Sequence, residues 1–468
     1  MLVKESLKLH SAEQLEIKQE IEIDPEVTKS RYSVESYFFF PAALYINKET
    51  YSEADFRRPL KSYVRLRLPR FPLSDFMAKG EEYLQLKALL ADPSTSVKQR
   101  EAALKRYALL IKGAFKRRIK KLLESGTEEE VTALVEELRS VIAASRPLLL
   151  SAADPQEPAL AVTARAADEY LATILEYHGK RLLSRFDGGL KAFLTENALY
   201  REKFYPESAS WQRREDVLYR WRSLKKFISS QLFLTVKMRE GNPWLLQSLY
   251  GIAAAVSMIF ATVVAFVWQG KYGALSWNLF LALVIAYIFK DRLKDWMRTR
   301  LAKLFRRWLP SRRQLIYAND GRRVGVCRES FDFVKRAEVP PEILALRTKA
   351  HYVPFAQEET ETIFLYRKDV ELHNEWIHSY ENRSSLYDIT RIGVMPWTSH
   401  IDLQFEELPF VDEDDERAHG PVAKLYHVYL VRRIRVESPK HERFEVTRLV
   451  LKHDGLLCLE RVCASAKV

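Results

Sequence analysis

The residue types best suited to chemistry fall late in this sequence. Glu371-Leu-His373-Asn-Glu375-Trp-Ile-His378 sets a carboxylate and an imidazole three positions apart, at Glu375 and His378. On a helix, E-x-x-H spacing turns both groups to one side, as in carboxylate-bridged metal sites. Such a site takes a second E-x-x-H and two further carboxylates. The sequence holds no second copy, so a surface turn or strand end is the preferred setting. His400 and Asp402 alternate on a predicted strand, where they would face the same way and could act as an acid–base pair. No G-x-S-x-G elbow accompanies them. An enzyme's site, if there is one, is expected near His373, Glu375, His378, His400 and Asp402. The sequence assigns no residue a catalytic, cofactor-binding or metal-binding role.

Other clusters have plainer readings. The acidic run Asp412-Glu413-Asp414-Asp415-Glu416 lacks the alternating ligands and central glycine of a calcium loop, so it reads as solvated. His178 lies in line with Leu171, Leu175 and Leu182 and reads as a core histidine. Lys112, Lys116, Arg117, Arg118, Lys120 and Lys121 decorate a helix whose other side is apolar. A solvated face is the first reading of that run, a membrane surface the second and nucleic acid the least favoured. There is no phosphate-loop or dinucleotide motif, and 15 glycines leave little for phosphate cradles. Cys327, Cys458 and Cys463 are too few for a disulfide framework, and their spacing suits no zinc ribbon. No cofactor is expected.

What must position these residues begins with the middle of the chain. Trp244 to Trp268 runs about 25 residues without a charge, enough to cross a hydrocarbon layer of ~30 Å at 1.5 Å per residue. A second apolar stretch, Ala274 to Phe289, is shorter and holds Asn278. Trp244, Trp268, Trp277 and Trp296 bracket the two as an interfacial belt would. Both outer flanks are rich in Lys and Arg, while the connecting loop holds only Lys271. Basic flanks stay cytoplasmic, which predicts two spans of a plasma or inner membrane with both termini inside. The opening MLVKESLKLHSAEQLEIK is too charged for a cleaved export signal. Small residues recur every fourth position at Ala253, Ser257, Ala261 and Ala265, and again at Asn278, Ala282 and Ala286, letting helix backbones approach. Such faces serve packing within the hairpin or dimerisation.

The chain has 468 residues and a formal net charge of +12, with 47% hydrophobic and 29% charged residues. That length allows two or three domains, and the composition is that of folded protein. The positive excess suits anionic phospholipid headgroups better than nucleic acid, because much of it flanks the hairpin.

The predicted fold class is a membrane protein of α+β type. Residues 1–72 carry leading strands, with Leu15, Ile17, Ile21 and Ile23 alternating, then Tyr32, Val34, Phe38 and Phe40. Residues 73–240 read as a cytoplasmic helical bundle. Its stripes are Leu104, Ala108, Ile111, Phe115, Ile119 and Leu122, then Val131, Leu134, Val135, Leu138 and Ile142 behind a Thr127/Glu130 capping box. Pro147, Pro155 and Pro158 mark an internal loop, and Trp211 to Val236 a helix leading to the membrane. Residues 244–289 form the hairpin, as spans 244–268 and 274–289, and 290–312 a basic amphipathic helix that either lies on the membrane or continues the second span. Residues 313–468 are a β-rich cytoplasmic domain ending in a meander over Leu425–Val436, Phe444–Leu451 and Leu456–Val462, with Asp454-Gly455 at the last turn. The expected function is a membrane-anchored scaffold or regulator, with a protein partner or second copy as company. The alternative is a membrane-associated enzyme with its site in the β-rich domain.

Overall fold

A computed structural model describes residues 2–23, 26–209, 214–240, 243–272, 277–306, 312–319, 321–350, 361–375, 385–401, 405–406, 422–437 and 441–463. The architecture is α+β with antiparallel sheets. Two compact units emerge, one of residues 65–234 and one of residues 1–64 joined with 235–468.

The discontinuous unit opens with β1 (Leu2–Ser11), β2 (Gln14–Glu22) and β3 (Lys29–Phe40), a short α1 (Glu53–Arg57) and β4 (Lys61–Leu66). Alternation sets the local structure: Leu15, Ile17 and Ile21 are buried along one side of β2, and Gln19 is buried in the same row. β3 is apolar on both sides. Phe38 and Phe40 belong to one core and Tyr37 and Phe39 to another, as a strand covered on both faces requires.

The helical unit contains α2 (Glu81–Ala91), α3 (Val97–Ser125), α4 (Glu128–Ser151), α5 (Pro158–Leu183), α6 (Leu190–Phe204), α7 (Pro206–Ala209) and α8 (Arg214–Ser229). The stripes of α3 and α4 are buried throughout and share one core with Leu171, Leu175 and Leu182 of α5. Thr127 caps α4, accepting from the Glu130 amide while the Glu130 carboxylate accepts from the Thr127 amide. The predicted break at Pro147 is not there. α4 runs through it to Ser151, since losing one intrahelical bond near a helix end costs less than exposing Leu148 and Leu149, both buried. Pro158 instead starts α5, where its missing N–H is harmless.

The helix expected to lead through Val236 stops at Ser229, and Thr235–Glu240 is strand β5. Two helices of 30 residues follow, α9 (Pro243–Tyr272) and α10 (Trp277–Arg306). α10 is continuous past Phe289, so residues 290–306 prolong the second apolar helix rather than forming a separate one. The two pack together, with Ala253, Ser257 and Ala286 buried and the Arg298 guanidinium over the Tyr250 ring, which makes them antiparallel. Most other side chains of α9 face outward: Phe266 is 71% exposed and Ile259 63%. Among the described residues one helix, Gln247–Lys271, is long and apolar enough to cross a membrane. α10 is not, because Lys290, Asp291 and Arg292 end its apolar part.

Next come β6 (Arg312–Tyr317), β7 (Arg323–Val334), α11 (Pro341–Lys349), β8 (Thr362–His373), β9 (Ser385–Gly393), the two-residue β10 (Phe405–Glu406) and β11 (Val422–Ala423), β12 (Tyr426–Val436), β13 (His441–Lys452) and β14 (Gly455–Cys463). Eight strands pair in the order β14-β13-β12-β3-β8-β7-β6-β5, and four in the order β1-β2-β9-β4. The leading strands are therefore built into the late ones, β3 lying between β8 and β12 and β2 against β9. Leu15, Ile17 and Ile392 of the smaller sheet share a core with Phe38, Phe364, Leu430 and Leu449 of the larger. Ile343 of α11 covers Phe39, Ile363 and Val431 on the opposite face. β5 and β6 pair from Thr235↔Tyr317 to Glu240↔Arg312, so α9 and α10 are an insertion at the end of a two-strand ladder.

Candidate anion-binding cleft

Of the late residues singled out by type, Glu371, His373 and Glu375 lie at a strand end, the preferred setting, and His400 lies in a turn. Glu371 and His373 lie in β8, where His373 pairs with Lys29 and Glu371 sits 3.5 Å from Arg31. Glu375 is exposed just beyond the strand, and His378 lies outside the described residues. His400 is exposed in a turn after a short helix, Met395–Thr398, rather than in a strand. Buried Trp397 of that helix donates to the Tyr51 hydroxyl at 3.1 Å, anchoring the turn to the core. Asp402 and the run 412–416 lie outside the described residues. Among the described residues no group of three or more His, Cys, Asp and Glu could hold a metal ion.

A constellation of another kind lies in the helical unit, where α3, α5 and α8 bound a cleft of about 1030 Å³. Lys112, Lys116 and Lys120 line it from α3 at successive four-residue steps, together with Ile119 and Leu123. From α5 and the turn after it come Ile174, Tyr177, His178, Arg181 and Arg185, and from α8 come Trp221 and Lys225. Six Lys and Arg residues thus face one carboxylate, Glu124, which already lies 3.5 Å from Lys120. Among the described residues Lys116, Arg181 and Lys225 have no carboxylate within ion-pair distance, whereas Arg185 donates to the Leu123 carbonyl at 2.6 Å.

The deepest cation is Lys112, half-buried, whose ammonium donates to the Tyr170 hydroxyl at 2.8 Å. Tyr170 stacks on Trp221 with centroids 5.8 Å apart, and Trp221 in turn lies 6.1 Å from Tyr177. Burial, then the nearby charges of Lys225, Arg65 and Lys116, push the Lys112 ammonium down to about 8. Burial and then Lys112, Lys116 and Arg181 push His178 down to about 4, so its imidazole is neutral at physiological pH. His178 is therefore a wall of the cleft rather than the core histidine expected. The basic run of α3 is the one part of this site that the primary structure marks, and its partners come from helices that lie about 35 to 110 positions further along the chain.

The other buried charges are matched. Lys368 donates to Asp388 at 2.6 Å and to Thr390 at 3.0 Å, and Asp388 also accepts from Tyr32 at 2.7 Å. Glu329 accepts from Tyr366 and Gln314, each at 2.8 Å. Burial holds the Cys327 thiol well above its ordinary range, which makes it a poor nucleophile. The Asp388 set binds the two sheets together, and the Glu329 set ties strands within the larger one.

Set against known proteins, the chain matches no protein-family model, no curated protein and no solved structure.

Proposed function

We propose that this is a membrane-anchored scaffold or regulatory protein that crosses a bilayer twice through α9 and α10 and keeps both folded units on the cytoplasmic side. One observation carries the reading: the strands at the two ends of the helical pair are hydrogen-bonded to each other, Glu240 opposite Arg312. A chain that leaves through α9 must come back to the same place, so a crossing by α9 obliges a return by α10. The outward apolar surface of α9 supports this, since eleven Leu, Ile, Val and Phe side chains between Trp244 and Trp268 favour insertion by about 0.3 to 0.6 kcal/mol each.

The described apolar part of α10, Trp277 to Phe289, is 13 residues or ~20 Å long, short of the ~30 Å layer. Lys290, whose ammonium lies 4.0 Å from the Tyr287 ring, can reach upward along its apolar stem to offset that mismatch. At the base of the pair, Lys237, Arg239, Arg313, Arg292 and Arg300 are exposed, a collar suited to anionic headgroups. The outward face of α9 would also suit a second copy in the membrane.

Cysteine labelling tests the topology. In a background free of Cys327, Cys458 and Cys463, Lys271→Cys and Arg313→Cys should react with an impermeant maleimide from opposite sides of the membrane. Recovery of the protein in the supernatant after ultracentrifugation without detergent, or labelling of both sites from one side, would defeat the proposal.

A further inference from the structure

We infer that the cleft between α3, α5 and α8 binds a phosphate ester of at least two negative charges, its phosphate met by Lys112, Lys116, Arg181 and Lys225 and its carbon skeleton laid against Tyr177 and Trp221. Every residue named lies within 65–234, so the inference stands apart from the membrane reading.

The charge pattern is the first reason. Elsewhere in this unit, three arginines near the core have carboxylate partners: Arg201 with Glu176 at 2.9 Å, Arg220 with Glu169 at 2.6 Å, Arg146 with Asp168 at 3.6 Å. The cleft contrasts with these pairs, with six cations around one carboxylate. Like charges held together raise the free energy of the folded unit, and a bound anion relieves that cost. Lysine ammoniums act on phosphate as point charges, and Arg181 adds a fork of donors.

Shape is the second reason. The cleft is the size of a small-molecule pocket, and its walls mix aromatic rings with Ile119, Leu123 and Ile174. The cations converge on a bounded space instead of running along a surface. Arg117, on the continuation of the α3 face, is turned away to the Phe71 carbonyl at 2.8 Å. A nucleic-acid strand would require an extended track. A phosphate ester can be a soluble metabolite such as a nucleotide or the headgroup of a phospholipid, and both share the chemistry that the cleft recognises.

Calorimetric titration of the full chain in nonionic detergent tests this with adenosine triphosphate, inorganic pyrophosphate and short-chain phosphatidic acid. At least one should bind with unit stoichiometry. Lys116→Gln with Lys225→Gln, both at exposed positions that leave the core intact, should weaken it by about tenfold or more. Lys87→Gln with Lys98→Gln, on exposed positions of the same unit away from the cleft, should not. Binding by the soluble probes identifies a metabolite site, and binding by phosphatidic acid alone a headgroup site.

Protonation supplies a second readout. Lys112 titrates near pH 8 in the free protein, amid Lys116 of α3, Tyr170 and His178 of α5, Lys225 of α8 and Arg65. An anion beside it raises that value, so binding at about pH 8 should take up protons, and Lys112→Met should abolish the uptake. The inference is overturned if none of the three probes binds saturably, if the cleft substitutions leave affinity unchanged, if uptake persists in Lys112→Met, or if only a long RNA binds.

Discussion

Asp388 shows how single residues hold the β unit together. It accepts from Lys368 and from Tyr32, so one carboxylate on β9 ties down two strands of the larger sheet. Burial lowers the Lys368 pKa, but Asp388 and its neighbours overcome this and the net shift is upward. A lysine raised above its unfolded value contributes stability below about pH 10.4 and loses it only as pH rises through the folded value, so the pair is intact at neutral pH. Asp388→Asn would strand a buried ammonium and should cost about 3 kcal/mol in denaturant unfolding, while Lys368→Met with Asp388→Leu together should cost less. A loss under 1 kcal/mol for Asp388→Asn would mean that water reaches the pair. Arg432 is held similarly between Glu5 and Glu445, linking β1 to β12 and β13. At this scale the sequence was least informative. Among the described residues His373, Glu375 and His400 stand out by type yet belong to no metal-holding group, whereas the cleft joins lysines that read as one basic face of α3 to aromatics of other helices.

The elements were far more legible. The stripes of α3, α4 and α5, the alternation of β2 and β3, and the closing meander are local periodicities, and neighbouring side chains suffice to impose them. Where elements differ from expectation, a longer-range term has overridden a local one. Pro147 is read as a breaker because it costs a hydrogen bond, but α4 keeps its helical course so that Leu148 and Leu149 stay in the core. The ring itself is exposed and contributes little packing. Pro147→Ala should therefore raise stability by about 1 kcal/mol or more, seen as a higher thermal midpoint. A fall would show that the proline shapes α4 rather than being tolerated by it. β5 is the opposite case: Thr235–Glu240 lies in a stretch read as helix, and only pairing with β6 makes it a strand.

At the level of the whole molecule, the chain is a β unit with two helical insertions. One occupies residues 65–234 and the other is the α9–α10 pair. The first insertion has its own core, and its ends meet in a bridge between Arg65 and Phe233. It should fold alone, and its replacement by a short Gly-Ser linker between Val64 and Thr235 should leave the β unit folded. Circular dichroism and thermal unfolding of both products would check this. The fragment 313–468 should fail to fold, because without β3 the strands β8 and β12 face each other across an empty position. A cooperative transition in that fragment would contradict the topology.

By itself the sequence determined what neighbouring residues decide: the helical stripes, the alternating strands, the apolar helix with its basic flanks and the mixed α+β class. Only the tertiary structure decided which strands pair, that segments some 330 positions apart such as Phe38 and Phe364 share one core, and that scattered cations line one cleft. The physical reason is reach. Periodicity is written by contacts within a few residues, whereas pairing and convergence are selected by the free energy of burying the whole chain at once.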